Sequence, residues 1–130
     1  MPGGEELIAV VDDDPSVCTA LGRLLRSAGY SSEGFAGGAV FLTSLQSRRP
    51  DCIVLDLEMP DVTGFNVLER LANSETRIPV VILTGCDTPE ARRRAKAAGV
   101  VAFLCKPVDY QALLDAIAAG IARRPPENRP

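Results

Sequence analysis

Short aliphatic runs alternate along the chain with segments in which apolar residues recur at helical spacing. The continuous runs over residues 7–11 and 52–55 are typical of strands buried on both faces of a parallel sheet. The predicted strands cover residues 7–11, 30–35, 52–55, 79–83 and 100–104, of which the second is a weaker edge strand. Each of them is followed by a segment of helical periodicity.

Capping residues indicate where the helices begin. Asp14-Pro15 and Thr88-Pro89 each place a capping side chain before a proline at the first helical position, and Asp109 precedes the last helix. The predicted helices cover residues 15–28, 39–45, 62–72, 89–98 and 110–121.

The alternation of strand and helix predicts the fold class. A repeat of about 25 residues, formed five times, requires right-handed crossovers and an open parallel sheet with helices on both faces. We therefore predict a doubly wound α/β domain over residues 1–122. The polar, proline-rich residues 123–130 are predicted to form a tail or the stub of a linker.

The fourth predicted helix differs from its neighbours because its apolar positions are all alanines, at Ala91, Ala95, Ala97 and Ala98. Alanines bury little apolar area, so the docking of this helix is expected to be weak. The helix is either a moving element or one that packs close to the sheet, and the sequence favours neither.

Composition and charge fit a single globular domain and narrow the possible functions. The chain has 130 residues, 46% of them apolar, and a net charge of −3. Because no overall positive field attracts phosphates, we predict no direct binding to nucleic acid. The apolar runs are shorter than the roughly 20 residues that span a bilayer, and no signal-peptide pattern is seen. We predict a cytoplasmic protein that does not associate with membranes.

The absence of histidine limits the chemistry further. It excludes a histidine-dependent triad, a histidine general acid and a phosphohistidine within this sequence. The cysteines have no C-x-x-C spacing, and without histidine they form no common zinc site. We predict that they are reduced core residues: Cys18, Cys52, Cys86 and Cys105.

Polar residues follow the predicted strands at their carboxyl ends, where ligands collect in open parallel sheets. They are Asp12, Asp13 and Asp14 after the first strand, Asp56 after the third, Thr84 after the fourth and Lys106 after the fifth. Crowded carboxylates repel one another unless a cation or a proton intervenes. The set offers only hard oxygen ligands, which predicts Mg²⁺. Asp14 is the least suited to bind it, because it caps the first helix.

Asp56 is a candidate nucleophile toward a phosphoryl donor. Attack by its carboxylate would give an aspartyl phosphate, with Mg²⁺ and Lys106 neutralising charge on the transferring group. Thr84 would donate a hydrogen bond to the new phosphoryl oxygens. Each residue alone is also an ordinary polar group at a strand end, and the ordered combination carries the hypothesis.

Four motifs in this order resemble the receiver domain of two-component response regulators. They are Val10-Val11-Asp12-Asp13, the segment Val54-Leu55-Asp56-Leu57-Glu58-Met59-Pro60 with Gly64 after it, Ile82-Leu83-Thr84-Gly85, and Lys106-Pro107. The resemblance covers about residues 5–122. It implies a flavodoxin-like (βα)5 fold with a five-stranded parallel sheet in the strand order 2-1-3-4-5.

The resemblance also implies a role for each matching residue. It makes Asp56 the phosphoacceptor and Lys106 the cation that contacts the phosphoryl group. It makes Asp12, Asp13 and Asp56 ligands of Mg²⁺, with Glu58 as a further ligand through its backbone carbonyl. Thr84 would be the switch hydroxyl and Phe103 the switch aromatic. The chain would then be a signalling phosphoacceptor rather than an enzyme, although one that catalyses its own phosphorylation and dephosphorylation.

The implied partners are a histidine kinase or a histidine phosphotransfer protein as the donor. Phosphorylation would change the face formed by the fourth helix, fifth strand and fifth helix, which would then bind a downstream protein target or a second copy of the chain. The sequence fits a single-domain regulator and equally a receiver that was cut from a longer one.

Two other functions are weighed against this hypothesis. A receiver-like module could bind partners without being phosphorylated, although all the site residues are present. A small Mg²⁺-dependent phosphohydrolase of the haloacid dehalogenase type would place a D-x-D motif after its first strand. Here the candidate nucleophile follows the third strand, and 130 residues leave little room for a substrate cap.

Overall fold

The computed structural model describes residues 6–74 and 77–123. Within these residues the strands and helices alternate in the predicted order. The elements are β1 (Leu7–Val11), α1 (Pro15–Ser27), β2 (Ser31–Phe35), α2 (Gly38–Ser44), β3 (Cys52–Leu55), α3 (Gly64–Ala72), β4 (Val80–Thr84), α4 (Pro89–Ala97), β5 (Ala102–Cys105) and α5 (Tyr110–Ala122). All strand pairs are parallel, and the sheet order is β2-β1-β3-β4-β5. The predicted doubly wound α/β fold is confirmed.

Burial of the strands follows their place in the sheet. Every residue of β1, β3 and β4 is buried, because helices cover both faces of these central strands. The edge strand β2 exposes Glu33 and Gly34, and β5 at the opposite edge is only partly buried. The purely aliphatic runs therefore belong to the centre of the sheet.

The sheet separates two hydrophobic clusters. On one face, buried residues of the sheet pack with Phe41 of α2, Val67 of α3 and Ala95 of α4. On the other face, they pack with Leu25 of α1 and Leu113 of α5. Each cluster removes one face of the sheet and the apolar side of its helices from water, which is the main favourable contribution to the fold.

Side-chain caps fix the starts of three helices at the predicted residues. Asp14 accepts a hydrogen bond from the Ser16 amide, and Thr88 accepts one from the Ala91 amide. Asp109 accepts hydrogen bonds from two amides in the first turn of α5. Each cap satisfies backbone donors that have no partner within the helix.

Most element boundaries lie within one residue of those predicted, and two starts differ by two residues. Helix α3 begins at Gly64 rather than at residue 62, because Thr63 and Asn66 form a reciprocal capping box that starts the helix after Thr63. Strand β5 begins at residue 102 rather than 100, because the Val100 amide bonds to the Ala95 carbonyl and completes the end of α4.

Other sequence predictions have mixed outcomes. Helix α4 buries only Ala91 and Ala95, as its composition indicates. Of the cysteines, only Cys52 is buried, so the prediction of four core residues was wrong for the three half-buried ones. Arg123, the first residue of the predicted tail, is the C-cap of α5. Residues 1–5 of the predicted domain and residues 124–130 of the tail lie outside the described residues. Among the residues that are described, no helix has the length and apolar character needed to cross a membrane.

Gly64 provides a test of how tightly the segment after β3 packs. A Cβ at this position would collide with the Asp56 carbonyl oxygen and would lie 2.7 Å from Leu57 Cα, both of which are backbone atoms. We expect Gly64→Ala to lower the free energy of unfolding by about 1–3 kcal/mol, measured by urea denaturation. Gly85→Ala is the matched control, because no atom lies within 4 Å of its new Cβ. Equal effects of the two substitutions would contradict this account.

Candidate functional site

The carboxyl ends of β1, β3, β4 and β5 bring the polar residues of the sequence motifs together. Asp12, Asp13 and Asp56 each offer a carboxylate oxygen, and these oxygens lie within 4.8 Å of one another. Thr84 closes β4, and Lys106 follows β5 directly. The parallel register of β4 and β5 produces this arrangement, since it places Thr84 beside Cys105. The Lys106 amide then donates a hydrogen bond to the Thr84 carbonyl at 2.9 Å.

Lys106 joins two of the carboxylates. Its Nζ lies 2.8 Å from Asp12 Oδ2 and 3.6 Å from Asp56 Oδ2. Partial burial disfavours the charged ammonium, but the hydrogen bond to Asp12 and the charge of Asp56 outweigh this effect and raise the pKa of Lys106. The lysine is therefore a fixed positive charge beside the Asp56 carboxylate.

Asp56 is a buried acid with several polar contacts. Its side chain is only 6% exposed, and burial raises the pKa of its carboxyl above the usual value. The hydrogen bond from the Glu58 amide, at 3.3 Å, and the nearby Thr84 hydroxyl oppose this shift without cancelling it. The nearby Asp12 carboxylate adds to the rise. Asp56 thus carries a desolvated negative charge that further cations would stabilise.

Two backbone hydrogen bonds orient the groups around Asp56. The Asp14 amide donates to Asp12 Oδ1 at 2.9 Å, which leaves the other oxygen of Asp12 for Lys106. Thr84 is fully buried, and its Oγ1 accepts a hydrogen bond from the Cys86 amide at 3.2 Å. The Thr84 hydroxyl lies near the Asp56 carboxyl and opposes the rise in its pKa.

Asp14 lies apart from the acidic group. Its carboxylate accepts hydrogen bonds from the Ser16 hydroxyl at 2.7 Å and the Ser16 amide at 2.9 Å, and these bonds lower the pKa of Asp14. The acid thus serves as the cap of α1, as its sequence position indicates.

The remaining predicted residues lie near the group in different ways. Glu58 is exposed, and its amide is the contact with Asp56. Phe103 is partly buried and packs against the hydrophobic cluster shared with α4. Its role as the switch aromatic and the role of the Glu58 carbonyl as a metal ligand stay predictions.

Sequence reasoning did not single out Asp87. This acid lies between β4 and α4 and forms a two-point contact with Arg92, whose guanidinium lies over the Phe103 ring. No sequence motif predicts a contact between an acid that precedes a helix and an arginine five residues later within that helix. Their contact depends on the loop geometry and on a ring supplied by the neighbouring strand.

The acidic group fits Mg²⁺ on chemical grounds. Its donors are carboxylate oxygens, two from buried residues and one from the exposed Asp13. A small number of hard oxygen ligands with access to water suits Mg²⁺, which keeps several of its own waters. Burial raises the pKa of Asp56, and a cation bound beside this carboxylate would stabilise its ionised form.

Fold and site together define a receiver-type domain: a flavodoxin-like α/β unit with acidic residues, a hydroxyl and a lysine at the carboxyl edge of its sheet. Comparison with known proteins identifies the family. The family model for the response regulator receiver domain matches residues 8–118, and the chain belongs to this family. Receiver domains of two-component systems are signalling proteins that work with histidine kinases and bind Mg²⁺ at an acidic pocket. The phosphohydrolase alternative has no support from this match.

Individual relatives agree with the family. The response regulator protein TodT of Pseudomonas putida is 37% identical over 120 residues, which cover 92% of this chain and 52% of that protein. The chain thus spans about half the length of the curated relatives that it matches.

Solved structures show the same fold. The response regulator receiver protein of Burkholderia phymatum has a TM-score of 0.80 at 38% identity, covering 94% of this chain and 99% of that one. The chemotaxis protein CheY4 of Vibrio cholerae has a TM-score of 0.81 at 30% identity, covering 90% and 99%.

The buried charge of Asp56 predicts a pH-dependent stability effect. Because its pKa is raised in the folded state, ionisation destabilises the fold, and the effect grows as pH rises from the unfolded-state pKa of about 3.8 through the higher folded-state pKa. Asp56→Asn should therefore increase the free energy of unfolding at pH 7, without Mg²⁺, by on the order of 1 kcal/mol. The gain should shrink as the pH falls to about 3, below the unfolded-state pKa, where wild-type Asp56 is mostly protonated in both states.

The matched control is Asp61→Asn, which removes a charge from an exposed residue of the segment that follows β3. Urea denaturation at both pH values measures the effect. A gain that is the same for both variants, or that is larger in acid, would contradict the burial of charge at Asp56.

Proposed function

We propose that this chain is a phosphoacceptor that receives a phosphoryl group on Asp56 from a partner histidine kinase or histidine phosphotransfer protein. The supporting observation is the set of contacts at one carboxylate. Asp56 meets the Thr84 hydroxyl and the Lys106 ammonium, and its oxygens lie within 4.8 Å of those of Asp12 and Asp13. An acid, a cation, a hydroxyl and a metal-binding pair are the groups that phosphoryl transfer to a carboxylate requires.

In the proposed reaction, an Asp56 carboxylate oxygen attacks phosphorus as the bond from phosphorus to the donor breaks. With phosphohistidine as the donor, the P–N bond breaks and the imidazole leaves with the electron pair. Lys106 remains protonated throughout, since its pKa is raised, and its charge stabilises the phosphoryl oxygens. Mg²⁺ held by Asp12, Asp13, Asp56 and the Glu58 carbonyl would neutralise further charge on the transferring group.

The product would change the partners of two neighbouring residues. Lys106 now donates a hydrogen bond to Asp12 and contacts Asp56, and the Thr84 hydroxyl lies beside Asp56. Phosphoryl oxygens are stronger acceptors with more negative charge, so both residues would turn to them. Thr84 is the last residue of β4, and Lys106 directly follows β5. The change would therefore reach the surface formed by α4, β5 and α5.

The output proposed for this change is altered binding of a protein partner at the α4-β5-α5 surface, either a downstream target or a second copy of the chain. Ligand or phosphoryl binding acts by shifting an equilibrium between two arrangements of this surface. Direct nucleic-acid binding by this chain is not part of the proposal, since its net charge is −3. The cytoplasmic location predicted from the sequence is part of it.

Incubation with acetyl phosphate tests the acceptor. We expect intact-protein mass spectrometry to show a gain of one phosphoryl group that requires Mg²⁺ and is lost in Asp56→Asn. Asp61→Asn, an exposed acid five residues further along, should be modified like the wild type. A gain that persists in Asp56→Asn would place the acceptor elsewhere. No gain in the wild type, with no response to beryllofluoride, would leave a constitutive binding module as the better account.

The metal site can be tested without phosphorylation. Mg²⁺ that binds only the folded chain should raise its stability, by about 2.7 kcal/mol at a hundred times the dissociation constant. Asp13→Asn should weaken this stabilisation, because Asp13 belongs to the acidic group. Asp14→Asn should not, since Asp14 is engaged with Ser16 and asparagine is an equally good cap. Thermal melts across a Mg²⁺ titration measure the difference, and equal responses of the two variants would contradict the assignment.

A further inference from the structure

We propose that Asp87 and Arg92 are positioning residues for Phe103: together they hold the ring against the core and so stabilise the arrangement from which Asp56 accepts its phosphoryl group. The inference rests on the proposed function, because it assigns a control of the same site. It concerns a contact set that includes one residue of the loop after β4, one of α4 and one of β5.

The Phe103 ring contacts the hydrophobic core and the guanidinium of Arg92. It packs against the buried cluster that includes Ile82 of β4 and the α4 residues Ala91 and Ala95. The Arg92 guanidinium carbon lies 4.7 Å from the ring centroid, within the range of a cation–π contact. A ring that turned away from this position would lose the guanidinium as well as the core contact.

Asp87 fixes the guanidinium in place. Arg92 Nε donates to Asp87 Oδ1 at 2.6 Å, and Arg92 Nη2 donates to Asp87 Oδ2 at 3.3 Å. The same nitrogen lies 3.5 Å from Cys105 Sγ, two residues after Phe103 on the same strand. A two-point contact determines the orientation of the guanidinium plane as well as its location. Arg92 is therefore restrained over the ring although its side chain is 50% exposed.

These contacts matter because α4 has little else to dock it. Its buried residues are Ala91 and Ala95, which supply little apolar area. A second arginine of the helix, Arg94, stacks on Phe65 of α3 with its guanidinium carbon 3.8 Å from the ring centroid. Helix α4 is thus anchored to β5 and α3 by guanidinium stacking at two points, and only the first of these involves the loop that follows Thr84.

The loop connects the contact set to the acceptor. Thr84 lies beside Asp56 and accepts a hydrogen bond from the Cys86 amide, and Asp87 follows Cys86 in the chain. Phe103 precedes Lys106 by three residues on the neighbouring strand. The arrangement that keeps Thr84 and Lys106 beside Asp56 is hence the one in which Asp87 and Arg92 hold the ring. Removing the guanidinium should lower the population of this arrangement and slow phosphorylation.

The decisive experiment is a double-mutant cycle on the rate of phosphorylation by acetyl phosphate in Mg²⁺. We expect Arg92→Ala to slow the reaction about 2- to 5-fold, the range that corresponds to an exposed cation–π contact. In a Phe103→Leu background, the same substitution should have no effect, because the ring on which it acts is gone. Arg92→Lys, which keeps the charge without the planar fork, should resemble Arg92→Ala.

The matched control is Arg93→Ala, which removes the same charge from the next position of α4, where Arg93 pairs with Glu90 at 2.8 Å on the surface. It should leave the rate unchanged. Carbon-13 labelling of phenylalanine gives a second measurement that needs no phosphorylation. The Phe103 ring signal should shift in Arg92→Ala and in Asp87→Asn, but not in Arg93→Ala.

The outcomes separate this inference from the proposed function. If the wild type takes no phosphoryl group, the proposed function fails, and the ring signal still tests the contact. If the wild type is phosphorylated but Arg92→Ala matches Arg93→Ala in both measurements, the positioning role is wrong and the acceptor stands. An effect of Arg92→Ala that persists in the Phe103→Leu background, or an increase in rate, would also overturn the role.

Discussion

One ammonium group makes the acidic edge of this sheet compatible with a folded protein. Lys106 lies between the buried carboxylates of Asp12 and Asp56, and without it two like charges would face each other away from water. Lys106 does not cancel the effect of burial, which still raises the pKa of Asp56. The fold accommodates these buried carboxylates because two extensive aliphatic clusters stabilise the sheet from both sides.

Most of the fold follows from local sequence patterns. Aliphatic runs that are buried on both faces of a sheet are easy to distinguish from helices with one apolar stripe, and the caps at Asp14, Thr88 and Asp109 mark helix starts clearly. The errors of two residues arose where capping or backbone hydrogen bonds, rather than apolar spacing, decide where an element begins. The Val100 amide, for example, bonds to the Ala95 carbonyl at the end of α4, and β5 begins two residues later than predicted.

The candidate site was predictable for a topological reason. Parallel strands deliver their following residues to one edge, so the polar residues after β1, β3, β4 and β5 had to meet once the alternation of elements was recognised. Distances and partners were not predictable in the same way. That Lys106 bonds to Asp12 more closely than to Asp56, or that Asp87 restrains Arg92, depends on side-chain packing between elements that are remote in sequence.

The unequal anchoring of the two helices beside β5 has a consequence for any partner. Helix α5 inserts Leu113 and Ile117 into one hydrophobic cluster, whereas α4 on the other side of the sheet contributes only alanines to its own. A protein that binds across both helices would contact α5, which is packed by large aliphatic side chains, and α4, which is packed by alanines alone. It would sense the state of the domain as a change of spacing within a single footprint, rather than as the exposure of a new surface.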